Sequence, residues 1–202
     1  MHRWTTIFSI LISLMTCIQV RAQIREMAIH TNLLYDSFFI PNVGMDIDLG
    51  RGWTAGLNYH HAWWTDHLFY WKQTYSGDIH VDRYLSTGHS NKPFDGHRLG
   101  VYGQLLTYDI EFGGDGQMAA KPNYAIGLEY GYMFSLGRNL HLDFVLGFGY
   151  LWGEYKKYAP MWNEYPAEWH YVWQSTHQRK MCCPTKAEIN LVWVIDKKGG
   201  RK

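Results

Sequence analysis

The chain has 202 residues, with 19 basic and 18 acidic side chains and only three cysteines. A balance this close to neutral excludes an electrostatic nucleic-acid binder, and so few cysteines exclude a disulfide framework or a cysteine-rich zinc module. Aromatic residues make up 17% of the chain, with 10 Trp and 15 Tyr beside 20 Gly. A soluble core of this size does not need so many amphipathic rings, whereas a membrane barrel places them at both water–lipid interfaces.

Residues 1–22 form the first element. A basic start (His2, Arg3), an apolar run over residues 7–20 and Val20-Arg21-Ala22 before Gln23 have the form of a secretory signal peptide. The run is too short for a spanning helix. Leu14-Met15-Thr16-Cys17 loosely resembles a lipobox, so lipidation at Cys17 is the alternative fate of this segment. Removing it takes away Arg3 and Arg21 and no acid, leaving 17 basic against 18 acidic residues, a net charge of −1. Residues 23–196 then form one domain, which keeps Cys182 and Cys183, neighbours that cannot easily meet disulfide geometry.

Period-2 alternation marks eight strands in chain order. Met27, Ile29, Leu33 and Tyr35 oppose His30, Asn32 and Asp36. Val43, Met45, Ile47 and Leu49 oppose Asn42, Gly44, Asp46 and Asp48. Trp53, Ala55, Leu57 and Tyr59 oppose Thr54, Gly56 and Asn58, and Ile79 and Val81 oppose Asp78, His80 and Asp82. Over residues 100–112, Tyr102, Leu106, Tyr108 and Ile110 oppose Gly103, Thr107, Asp109 and Glu111. Tyr124, Ile126, Leu128, Tyr130, Tyr132 and Phe134 oppose Ala125, Gly127, Glu129, Gly131, Met133 and Ser135. The clearest strand, residues 140–152, sets Leu140, Leu142, Phe144, Leu146, Phe148, Tyr150 and Trp152 against His141, Asp143, Val145, Gly147, Gly149 and Leu151. The last, residues 187–195, sets Ile189, Leu191, Trp193 and Ile195 against Glu188, Asn190 and two valines.

Which face points outward decides the class. A soluble eight-stranded barrel turns its apolar face inward around a ligand. Here the polar face is also the small one, carrying Gly44, Gly56, Gly103, Gly127, Gly131, Gly147 and Gly149. Eight strands leave room only for side chains, so small and hydrogen-bonded charged residues fit inside and large rings would overfill it. Connections agree: Arg51-Gly52 and Gly137-Arg138-Asn139 are tight turns on one side, while residues 65–70, 113–121 and the stretch after Tyr158 are longer on the other. Short periplasmic turns with long external loops are the transmembrane pattern. Residues 87–96 depart from it, being a long connection on the periplasmic side. The expected fold is therefore an all-β, eight-stranded antiparallel up-and-down transmembrane β-barrel with a polar, side-chain-filled lumen, followed by a short basic tail at residues 197–202.

Several clusters could carry chemistry. Asp78, His80 and Asp82 share one face at spacings of about 7 Å and could offer metal ligands. The competing reading is a hydrogen-bonded plug in which Lys186, His30, His80 and His141 balance Asp46, Asp48, Asp109, Glu111, Glu129, Asp143 and Glu188. The plug reading is preferred, and it argues against an open pore. His60-His61, Trp63-Trp64, Asp66 and His67 sit at an external rim, where a histidine beside Ser76 or Ser37 would suit an enzyme that modifies lipid A; neither serine forms a recognisable motif. Residues 169–174 form an aromatic external segment, suited to partner contact or to packing on residues 153–158. No catalytic, cofactor-binding or metal-binding residue is assigned, and no cofactor is expected.

Four segments, His30-Thr31-Asn32-Leu33-Leu34-Tyr35-Asp36, Gly100-Val101-Tyr102-Gly103-Gln104-Leu105-Leu106-Thr107-Tyr108-Asp109, Gly147-Phe148-Gly149-Tyr150-Leu151 and Pro184-Thr185-Lys186-Ala187-Glu188, resemble an uncharacterised family of small outer-membrane proteins of Bacteroidetes, catalogued as a domain of unknown function. The resemblance spans nearly all of the chain after the leader. It implies no activity and no catalytic residues, and some members are encoded near fimbrial or other surface-assembly proteins. Cys183 departs from the family pattern, which carries Gly before Pro-Thr-Lys-Ala-Glu at a tight turn atop the last strand. The expected role is a non-catalytic outer-membrane barrel supporting surface structure, adhesion or fimbrial assembly through its external loops. Its expected partners are outer-membrane lipid and surface or fimbrial proteins. The rivals are a lipid A-modifying enzyme and an exported soluble barrel that binds an apolar ligand.

Overall fold

The computed structural model describes residues 26–63, 74–85, 93–112, 115–164 and 167–196. The expected leader (1–22) and basic tail (197–202) lie outside them. The elements are β1 (Glu26–Asn32), α1 (Leu33–Ser37), β2 (Asn42–Gly50), β3 (Trp53–Ala62), β4 (Thr74–Tyr84), β5 (Gly96–Leu106), β6 (Asp109–Phe112), β7 (Asp115–Ala119), β8 (Asn123–Ser135), β9 (Leu140–Glu164) and β10 (Ala167–Asp196).

Eight of the strands close a barrel. Antiparallel pairing runs β1–β2–β3–β4–β5–β8–β9–β10, and β10 returns to β1, with Glu26 opposite Asp196 and Asn32 opposite Asn190. Closure leaves no sheet edge within the barrel. The expected strand count and up-and-down order are both found.

At one end of the barrel the β2–β3 and β8–β9 connections are tight turns. Between β2 and β3, Gly50, Arg51 and Gly52 all take positive φ (89°, 57° and 76°), which suits glycine at the two flanking positions. Arg83 donates to the Arg51 carbonyl and lies 5.4 Å from the Trp53 ring centroid. The β8–β9 turn is held by the Leu136 amide donating to the Leu140 carbonyl at 2.9 Å. A small apolar cluster of Ala28, Tyr84, Phe94, Met133, Val192 and Val194 fills this end. Phe94, in the β4–β5 connection that departed from the short-turn pattern, is one of its members, so the described part of that connection serves as a stopper.

At the opposite end β9 and β10 run far past the barrel. Trp152 is the last β9 residue to pair with β8, yet β9 continues to Glu164 against β10. At about 3.3 Å per residue the ribbon extends roughly 40 Å along the strand. Within the segment expected as an external loop (113–121), residues 115–119 form β7: β6 pairs with β7, and β7 with the β9 extension, Gly116 opposite Tyr158 and Ala119 opposite Tyr155. The family pattern's turn at position 183 is absent, and β10 passes through Cys183 with an irregularity between Pro184 and Lys186.

Two local expectations are corrected. The first strand stops at Asn32, whose side chain accepts the Leu34 amide at 3.0 Å and caps α1, so Leu33 and Tyr35 are helical. Asp36 then accepts from Thr31 (2.9 Å) and Asn42 (2.8 Å), tying α1 to both strands. The second correction inverts β5. Arg98, Tyr102 and Gln104 face inward, whereas Leu99 and Val101 are exposed and Gly103 is on their face. Space explains the inward Tyr102: a Cβ on Gly127 or Gly147 would crowd its ring, so these glycines leave the room that it fills. Asp109 and Glu111 belong to β6, outside the barrel wall.

Candidate functional site

The interior of the barrel is a connected set of charges. Seven carboxylates are buried: Asp46, Asp48, Asp78, Asp82, Glu129, Asp143 and Glu188. Two buried cations bridge most of them. Lys186 on β10 donates to Asp78 and Glu129, each at 2.9 Å, and lies 3.8 Å from Glu188. Arg98 on β5 pairs with Asp82, donates to Asp143 at 2.7 Å and lies 3.7 Å from Glu129. His80 spans Asp46 (2.7 Å) and Asp78 (3.2 Å), and His30 sits between Asp46 (3.2 Å) and Asn58 (2.7 Å). Such groups are costly to bury unless paired. Six of the seven carboxylates are paired across strands, and Asp48 accepts the Gly50 amide at 2.6 Å on its own strand.

Backbone shape makes the network possible. A Cβ on Gly56 would overlap both Asp46 and His80, and one on Gly131 would overlap Arg98. Tyr102 completes the packing: its hydroxyl shares a hydrogen bond with Thr185, and Lys186 Nζ lies 5.4 Å from its ring centroid.

Asp78, His80 and Asp82 do share the inner face, but Asp78 is bound by both His80 and Lys186, His80 also by Asp46, and Asp82 by Arg98. A metal-type grouping does occur at His80, Asp82 and Glu129, whose donor atoms lie within 4.8 Å of one another. Arg98 contacts two of the three, placing a fixed positive charge where a cation would sit. The arrangement pins eight strands to one register and fills the lumen.

The mouth at the extended end is also occupied. The Tyr35 ring of α1 lies tilted against His60 with centroids 4.2 Å apart, and burial, then the Glu188 and Asp78 carboxylates, hold its hydroxyl well above its usual value. The cavity there, bounded by His30, Asn58, His60 and Glu188 among others, is about 10 Å³, the room of a single water. His60 and Ser76 are register partners and both buried, but no hydrogen bond joins them, and Ser37 donates to the Leu34 carbonyl (2.7 Å). Trp64, Asp66 and His67 lie outside the described residues.

The outer surface is apolar. Ile79, Leu128 and Leu146 are 70%, 67% and 68% exposed in the middle of their strands. Rings flank this band at both ends. Tyr124, Trp152 and Tyr150 stack in series with centroids 5.9 Å apart, and His61 contacts Tyr59, Trp63 and Tyr75. At the tight-turn end His97, Tyr132, Phe134 and Phe144 form a second chain of ring contacts.

Above the mouth, β6, β7, β9 and β10 form a projecting sheet. Arg179 locks its base, lying 4.5 Å from the Tyr155 ring, 5.9 Å from that of Tyr108, and 3.4 Å from Gln117 Oε1. Burial lifts the Tyr108 hydroxyl above its ordinary value, with Arg179 opposing. Farther out, Met161, Trp162, Val172 and Trp173 are exposed. In the segment 169–174 the backbone pairs with β9, Trp169 facing Trp162 and Trp173 facing Tyr158.

Sequence reasoning found the lumen acids, Lys186 and the inward histidines, but missed Arg98, Tyr102, Gln104 and the bridging role of Asn58. Arg98 left one signal: seven inward carboxylates against a single lysine call for another cation, and Arg98 shares strand parity with Gly100 and Gln104.

Fold and interior define a closed eight-stranded β-barrel with a side-chain-filled lumen and an external sheet. The chain belongs to the family described as protein of unknown function (DUF3575), whose model matches residues 8–195. No curated protein and no solved structure matches the chain.

Proposed function

We propose that the protein is a non-catalytic barrel of the outer membrane of a Gram-negative cell, exported by the residue 1–22 leader. Its work is done by the projecting sheet, which supports surface structure, adhesion or fimbrial assembly. The membrane placement is supported by the outward band. Tyr124 and Phe134, one in each ring chain, are ten residues apart on β8. That is about 33 Å along the strand, or about 25 Å of height at the usual barrel tilt, the thickness of an outer-membrane apolar band. A plugged lumen argues against transport.

The observation that carries the functional reading is the β9–β10 ribbon, with Met161, Trp162, Val172 and Trp173 exposed well beyond the barrel. Exposed aromatic clusters of this kind serve as contact surfaces. The test shortens the ribbon by removing residues 156–176 and joining the strands with a two-residue turn. The expected result is a barrel that still shifts mobility on heating in SDS gels, in cells whose surface structures or adhesion are impaired. Unchanged surface assembly and adhesion would remove the role; a protein found freely soluble in the periplasm would remove the placement.

A further inference from the structure

An apolar groove crosses the outer face of the barrel over β4 and β5, close to the extended end. Two neighbouring cross-strand rows build it. The upper row runs Tyr59, Gly77, Leu105, Tyr124, Trp152, and the lower row runs Leu57, Ile79, Gly103, Ile126. Each row has one glycine, on adjacent strands, so the floor drops to bare backbone between large side chains. The groove measures about 590 Å³. That lies within the roughly 300–1,000 Å³ of small-molecule sites.

Nothing in the fold demands glycine at 103. A Cβ there would meet no atom within 4 Å, and the backbone is not in the left-handed region. Glycine inside a strand costs stability, and one that packing does not require marks a place where another molecule comes close. At inward glycines, by contrast, neighbours take the space: His30 at Gly44, His80 at Gly56, Asp82 at Gly100, Arg98 at Gly131 and Tyr102 at Gly147.

Charge lies just above the groove. Lys180 is register-opposite Trp152, and Lys156 is on the same outward face of β9 as Trp152. Lys121 precedes β8 and pairs with Glu154 at 3.2 Å, while Lys156 and Lys180 form no ion pair among the described residues. An apolar slot ending in stacked Tyr and Trp rings, with net positive charge above it, matches the parts of a lipid in their order. We propose that the groove seats one acyl chain of an anionic, phosphate-bearing membrane lipid, whose headgroup is held by Lys121, Lys156 and Lys180. This rests on the membrane reading above and names a specific ligand for the face that reading turns to lipid.

The test uses the folded full-length barrel, first checked for insertion into phosphatidylcholine–phosphatidylglycerol vesicles. It is then equilibrated in detergent with equal amounts of those two lipids, matched in acyl chains, and examined by native mass spectrometry. The wild type is expected to retain one phosphatidylglycerol in several-fold preference. Gly103→Leu, which the fold accommodates, is expected to insert and heat-shift normally yet lose the retained lipid. The triple variant Lys121→Gln, Lys156→Gln, Lys180→Gln is expected to keep a lipid but lose the preference. A wild type that inserts but retains no lipid, equal retention of the two lipids, or undiminished retention by Gly103→Leu would each overturn the site while leaving the membrane reading intact. Failure to insert would overturn both.

Discussion

Arg98 and Asp143 meet inside the barrel, Nη2 to Oδ2 at 2.7 Å, although β8 stands between the strands that carry them. The same guanidinium holds Asp82 on β4 and approaches Glu129 on β8, so one side chain ties four strands together. Removing one partner of a buried pair leaves the other charged and dry, at a cost of about 3–5 kcal/mol. Arg98→Met is therefore expected to lower stability by that order, read as the urea midpoint of the heat-modifiable form. Arg98→Lys keeps the charge but loses the fork geometry, and it is expected to recover only part of the loss.

Glycine positions give a second prediction by contrast. Gly56→Val forces a Cβ into Asp46 and His80, while Gly103→Val points into open space. The first is expected to destabilise by about 1–3 kcal/mol and the second by less than about 0.5 kcal/mol. Equal effects on the unfolding midpoint would contradict the inward and outward assignment of these strands.

At the tight-turn end Phe94 is 2% exposed and packs edge-on against Tyr84, with centroids 6.1 Å apart. Phe94→Ala is expected to cost about 3–5 kcal/mol, the price of an unfilled core ring. Hydrogen exchange should rise first at Ala28, Met133 and Val192, its neighbours in the apolar cluster.

The stack of Arg179 on Tyr155 and Tyr108 joins the projecting sheet to the barrel mouth. Arg179→Ala is expected to cost about 1–2 kcal/mol locally. Limited proteolysis should then cut β6–β7 faster while the heat-modifiable barrel persists.

Much of this fold was legible because β8, residues 140–152 of β9 and residues 187–195 of β10 alternate without a break, so that Leu128 and Glu129, or Leu146 and Gly147, could be assigned to opposite faces on sight. β5 was not, because apolar residues and glycines occur on both of its faces: Val101 beside Tyr102, Gly100 beside Gly103. The deciding fact, that Gly127 and Gly147 on two other strands leave a hole for the Tyr102 ring, is a relation between strands and has no period. Arg98 was hidden by the same inversion. α1 was missed because Leu33 and Tyr35 extend the strand period past Asn32, and only the Asn32 side chain, capping Leu34, ends it. β6 was hidden because Tyr108, Asp109, Ile110 and Glu111 carry the strand period on past Leu106, where β5 ends.

On the proposed reading the charged face fills the barrel and the apolar face meets lipid. Single nitroxide labels at Leu128 and Leu146, with a control at exposed Trp173, test it most directly in vesicles made from the purified protein. Labels at 128 and 146 are expected to be reached by oxygen and shielded from a water-soluble nickel chelate, while the label at 173 shows the reverse. Labels at 128 and 146 that the chelate reaches freely, on a protein that stays in solution without detergent, would contradict it.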